Sequence, residues 1–152
     1  MKDSAYSLGG SGIPPAIVVF GGDGYIGWPL VLELALTHPD RSIVVADNYL
    51  TRRNAAKINS QSLIPIGTMP ERIDAARSTF GLDNIFFRNL DCTDSDEVMA
   101  LIADLQPEVV YHLAHQRAAP YSMLGLRECI ETVTNNEVSF LNVIWALKDF
   151  AP

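Results

Sequence analysis

The chain has 152 residues, 48% of them hydrophobic, and a formal net charge of −7. That length is about one domain, burying roughly 68–70% of the surface its unfolded chain exposes, and the acidic balance argues against nucleic acid, which selects for basic stripes. Cys92 and Cys129 are too few for a disulfide framework and lack metal-ligand spacing, and no apolar run approaches membrane-spanning length, so the chain reads as a cytoplasmic domain with reduced thiols.

Residues 1–14 have no apolar core of signal-peptide length and read as a flexible leader, with the domain running from 15 to 152. Ala16 to Phe20 reads as a buried strand, and Tyr25 to Thr37 as a helix with Ile26, Leu30, Leu34 and Leu36 inward. Ser42 to Ala46 is a second buried strand ending at Asp47, followed by a polar, irregular connection over 48–68. Pro70 to Phe80 predicts a helix that stops at Gly81, and Asn84 to Arg88 a third strand. Asp94 opens the next helix with Glu97 at capping-box spacing. Glu108 to Leu113 is a fourth strand. The last element, Leu126 to Phe150, is a long helix with two apolar stripes, one through Ile130, Thr134, Val138, Leu141 and Trp145, the other through Val133, Phe140, Ile144 and Leu147. One stripe can pack on a sheet; the second needs the rest of a larger protein or another subunit. Alternating helices and continuous apolar strands imply an α/β, Rossmann-like, doubly wound parallel sheet of about four strands.

Between the first strand and its helix lies FGGDGYIGWP. Gly22-x-Gly24-x-x-Gly27 satisfies the dinucleotide spacing, and Gly21-x-x-Gly24-x-x-Gly27 its short-chain dehydrogenase variant. Glycines there allow a tight turn and close approach of the backbone to a pyrophosphate, which the helix N-terminus attracts. Asp47, 20 residues after Gly27, can take both ribose hydroxyls of the adenosine and repels a 2′-phosphate, which favours NAD over NADP. Arg52 and Arg53 either flank the adenosine or are solvated surface groups. Asp91 and Cys92, past the third strand, are either adenine readers or an ordinary polar strand end. In HLAHQRAAPYSM, His112 and His115 would diverge across a strand end, which argues against a metal. Arg117, beside Gln116, suits a substrate phosphate or sulfonate.

Taken together, GGDGYIGW, Asp47-Asn48 with the Arg52-Arg53 pair, SLIPIG (62–67), HQRAAPYSM and TNNEVSFLNVIWALKDF resemble the UDP-sulfoquinovose synthase family, among the extended short-chain dehydrogenases with the epimerases and dehydratases. The resemblance runs from about residue 15 to the end, and the segment 116–123 is its most specific part. It implies that Gly21, Gly24, Tyr25, Ile26 and Gly27 cradle the pyrophosphate of NAD. Asp47, Asn48 and Arg52 or Arg53 would hold the adenosine ribose, with Asp91 and Cys92 at the adenine. Gln116 and Arg117 would face nicotinamide and sugar, and Asn136 would lie beneath the site. The implied reaction converts UDP-glucose and sulfite through oxidation at C4, in a dimer joined by the long helix. A UDP-sugar 4-epimerase or dehydratase, or a non-catalytic module binding NAD or a partner, are the alternatives.

The family's chemistry needs a Tyr-x-x-x-Lys pair, in which the lysine helps the tyrosine act as base. Four residues after Tyr6, Tyr25, Tyr49, Tyr111 and Tyr121 stand Gly10, Pro29, Arg53, His115 and Gly125, so no pair exists. The chain is expected to be the N-terminal portion of such an enzyme, or a stand-alone relic of one, with no catalytic base of its own.

Overall fold

The computed structural model describes residues 15–60, 62–117 and 119–150; the expected leader lies outside them. Strands β1 (Ala16–Phe20), β2 (Ser42–Asp47), β3 (Ile85–Asn89) and β4 (Val109–His112) form one parallel sheet in the order β3-β2-β1-β4. Val18 of β1 sits opposite Val44 on one side and Val110 on the other. Helix α1 (Gly27–Thr37) links β1 to β2, α2 (Leu50–Lys57) and α3 (Met69–Phe80) link β2 to β3, and α4 (Ser95–Leu105) links β3 to β4. A 3₁₀ turn (Tyr121–Met123) then leads to α5 (Leu126–Phe150).

The period of two in the strands divides the core. Ile17, Val19, Ile43 and Val45 meet Val31 and Leu34 of α1 and Met69 and Ile73 of α3. Val18, Phe20, Val44 and Ala46 meet Val98 and Ile102 of α4 and Val143 and Ala146 of α5. Both faces are covered, as continuous apolar strands require. Each buried Val, Ile or Phe contributes about 1.5–3 kcal/mol relative to exposure. Strand order reverses between β1 and β4, so their carboxyl ends open the crevice where such sheets take ligands.

Several local expectations are corrected. Helix α1 begins at Gly27, and Ile26 and Leu36 are exposed rather than inward; Gly27, Val31, Leu34 and Ala35 are buried instead, with Leu30 half-buried. Gly27 sets that phase, because the helix touches the turn at the residue that has no side chain. Within the connection read as irregular lies α2, a polar helix burying only Asn54. The Asn48 side chain starts it by accepting from the Leu50 N–H at 2.9 Å. At α4, Asp94 caps as expected, accepting from the Asp96 and Glu97 N–H groups, but Glu97 accepts from the Asp91 N–H rather than reaching back to Asp94.

The long helix has the expected bounds and an unexpected face. Its buried residues are Thr132, Ser139, Val143 and Ala146, which belong to neither apolar stripe. Ile130, Val133, Phe140, Leu141, Ile144 and Trp145 are all exposed. Small residues let α5 lie close against α4 and the sheet, so it docks by shape and turns its bulk outward. Its N-terminal half is tied to α2 by a polar chain: Lys57 donates to the Tyr121 hydroxyl at 3.0 Å, and that hydroxyl donates to Glu131 at 2.5 Å. Arg127 donates to the other Glu131 oxygen at 2.9 Å.

Candidate functional site

A cleft of about 550 Å³ opens at the carboxyl ends of the strands. Its floor is the turn between β1 and α1. Gly21 has φ +79°, and a Cβ there would lie 2.5 Å from the Leu113 carbonyl. A Cβ on Gly22 would lie 2.3 Å from Val45 Cγ1, and one on Gly27 2.3 Å from the Gly21 oxygen. The fold itself demands these three glycines. Gly24 differs: among the described residues its Cβ would meet only the Gly21 oxygen, at 3.2 Å. Because Gly24 lines the cleft, a side chain there would project into ligand space more than into protein. A pyrophosphate brought close to the backbone fits that gap, and the N–H groups of Tyr25 and Ile26 donate to no backbone acceptor among the described residues.

Asp47 forms the wall beside the turn. One carboxylate oxygen accepts from the Asp23 N–H at 2.9 Å and the other from the Tyr49 N–H at 2.7 Å. Burial pushes its carboxyl above the usual range, and these backbone donors pull it back. Each oxygen retains a lone pair for a ribose hydroxyl. Asn48 also lines the cleft, though its side-chain oxygen starts α2.

Of the other predicted residues, Tyr25, Ile26, Asp91, Cys92, Gln116 and Arg117 line the same cleft, whereas Arg52, Arg53 and Asn136 do not. Arg53 donates to the Asn48 carbonyl. Arg52 turns onto the Asp23 carboxylate and the carbonyls of Ile66 and Gly67. Asn136 clamps the loop after β4: it accepts from the Gln116 N–H at 2.8 Å and donates to the Gln116 carbonyl at 3.0 Å. The Gln116 side chain is buried, and its Oε1 has no partner among the described residues. Burial pushes the Cys92 thiol up to about 12, so it is a neutral wall group and not a nucleophile. Asp91 accepts from the Thr93 N–H and hydroxyl.

The two histidines do not diverge, correcting the sequence expectation. Their rings meet edge to face with centroids 5.1 Å apart. Burial, with a smaller push from His115, lowers His112 to about 4, so it is neutral near pH 7. Its Nε2 lies 3.3 Å from the Ser139 hydroxyl, and its Nδ1 is buried without a partner among the described residues. Among the described residues no group of three or more His, Cys, Asp or Glu is placed to hold a metal. Sequence reasoning missed Asp23 and Asn135, both cleft-lining. An acidic residue inside a glycine turn was the available signal for Asp23; Asn135, which donates to the Ala114 carbonyl, carried none.

Over 136 residues, 90% of the chain, it is 37% identical to a UDP-sulfoquinovose synthase of Sulfolobus acidocaldarius, and over 135 residues, 89% of the chain, 31% identical to the chloroplastic UDP-sulfoquinovose synthase of Spinacia oleracea. The matched region spans 34% and 27% of those proteins, so the chain corresponds to about a third of the length of the curated relatives it matches. In fold it resembles the UDP-glucose 4-epimerase of Bifidobacterium longum crystallised with NAD+ and UDP, with TM-score 0.65 and 20% identity, covering 89% of this chain and 34% of that one. The profile of the NAD dependent epimerase/dehydratase family matches residues 17–150, nearly the whole described structure, and the chain belongs to that family.

Proposed function

We propose that this chain binds NAD in the cleft and forms the cofactor-holding part of a nucleotide-sugar enzyme of the UDP-sulfoquinovose synthase kind. Gly24 carries the reading, because its lack of a side chain answers to cleft space while its neighbours answer to the fold. When bound, NAD supplies a reversible hydride acceptor. The residues of this chain bind and orient: backbone N–H groups of the turn face the pyrophosphate, Asp47 accepts from the adenosine ribose, and Asp91 and Cys92 flank the adenine. Gln116 and Arg117 reach the nicotinamide and the UDP-sugar, with UDP-glucose the preferred substrate. The higher identity to the two sulfoquinovose synthases supports this over a 4-epimerase. A homodimer through the outer stripes of α5, in the cytoplasm, completes the reading.

Titration calorimetry with NAD and ADP-ribose tests it. The chain should bind both, Gly24→Val should abolish binding while the fold is kept, and Asp47→Ala should weaken it. A folded chain that binds neither would overturn the proposal. Incubated with NAD, UDP-glucose and sulfite, the 152-residue chain should form no sulfosugar, since no Tyr-x-x-x-Lys pair is present. Joining it to the remaining two-thirds of a relative should restore turnover, and Arg117→Ala should then impair it strongly.

A further inference from the structure

At the edge of the cleft lies a charge cluster whose pairing turns Arg52 away from the ribose role the sequence suggested for it. Asp23 sits inside the glycine turn with its side chain only 6% exposed. One carboxylate oxygen accepts from Arg52 Nε at 2.5 Å, and the other from Arg52 and, at 3.0 Å, from Arg72. Arg72 also donates to the Asp23 carbonyl at 3.2 Å and stacks 4.4 Å over the Trp28 ring. The rest of the Arg52 guanidinium is spent on the carbonyls of Ile66 and Gly67, at 3.1 and 2.9 Å. The Asp23 N–H meanwhile holds Asp47, the group that faces the ribose. Thr51, the residue before Arg52, already lines the cleft.

An arginine beside the acidic residue that ends β2 is the group that admits a 2′-phosphate in dinucleotide sites of this topology. Here Arg52 is close enough for its charge to act on Asp47, Arg72 joins it on Asp23, and that one buried carboxylate, itself on the cleft wall, holds both. The geometry points to Asp23 as a specificity-determining residue: it withholds Arg52 and Arg72 from the ribose 2′ position, so that NADP is refused by missing cations as well as by the Asp47 charge. This rests on the reading that the cleft binds a dinucleotide. It predicts that removing Asp47 alone leaves NADP weak, because the guanidiniums stay occupied. Removing both carboxylates frees them to pair with the phosphate, which a planar guanidinium does well.

The experiment is a double-mutant cycle on the full chain, reading NAD and NADP affinities by calorimetry for wild type, Asp47→Asn, Asp23→Asn and the double variant. The double variant should gain about tenfold more NADP affinity than the product of the single changes, a coupling ordinary for groups that share partners. Adding Arg52→Met to it should cancel most of the gain. If Asp23 served only to brace the turn, Asp23→Asn would weaken NAD and NADP alike, and that result, or additive NADP effects, overturns the inference while leaving NAD binding intact. A wild type that binds neither dinucleotide overturns the cofactor reading itself. Should Asp23→Asn fail to fold, nuclear magnetic resonance of the wild type decides. The Arg52 Nε–H signal should not move on adding adenosine 2′,5′-bisphosphate, and a shift on binding would show the guanidinium to be free.

Discussion

The glycine turn and the long helix solve opposite problems. Around the turn the charged groups are spoken for: Asp23, Asp47, Arg52 and Arg72 all have partners. Along α5 the buried residues are small or polar, and Phe140, Leu141, Ile144 and Trp145 stand outside. The first region is finished within the chain and shaped to receive something small. The second turns large apolar side chains outward from the described domain. An amphipathic pattern thus identifies a helix without saying which of its faces meets its own domain.

The contrast can be broken most severely at the turn. Gly27→Val should lower stability by about 3 kcal/mol or more, read from the denaturant midpoint, because its Cβ would lie 2.3 Å from a backbone oxygen that cannot retreat. Gly24→Ala, three residues away, should cost less than about 1 kcal/mol, since the neighbouring oxygen lies at 3.2 Å. On α5 the sensitive position is the small residue. Ser139→Leu should cost about 1–3 kcal/mol by overpacking a fully buried site.

A smaller effect separates the regions by pH. The folded state lowers His112 from 6.5 to about 4, so the unfolded chain takes up the proton first. Stability should therefore fall as pH drops from about 6.5 to about 4, with no further loss from this group below that. In His112→Gln the stability–pH slope over that window should flatten. The smallest change in stability is expected on the outer stripe. Ile144→Asp should alter monomer stability within about 0.5 kcal/mol, as exposed substitutions do. It should nevertheless abolish self-association in sedimentation; a wild type monomeric at high concentration would count against the proposed dimer.

Strands, sheet class and the turn were legible because continuous apolar runs and glycine spacing are local signals. Val18 and Val44 need no knowledge of their neighbours to read as buried. Helix α2 was missed because LTRRNAAK has no apolar period; a side-chain bond from Asn48 and the Lys57–Tyr121 contact hold it. The docking face of α5 was misread because Ser139 and Ala146 carry no hydrophobic signal, and closeness of approach is not written in side-chain apolarity. Within the site, Asp47 and Gly24 follow from spacing. The engagement of Arg52 by Asp23 joins residues 29 apart in sequence and could be read only from the fold.

The amide of Asn136 pairs with both backbone groups of Gln116, as a neighbouring strand would. The loop after β4 is in effect one more rung of the sheet, with a helix side chain as its partner. Two such bonds, each contributing about 1 kcal/mol, make that rung move with α5 or break from it. A shift of α5 along its axis therefore acts as a lever on the cleft wall that carries Gln116 and Arg117. If a second copy of this chain covers the outer face of the helix, as proposed, it would tune the grip on a ligand at the other end of that lever, and cofactor affinity would then vary with protein concentration.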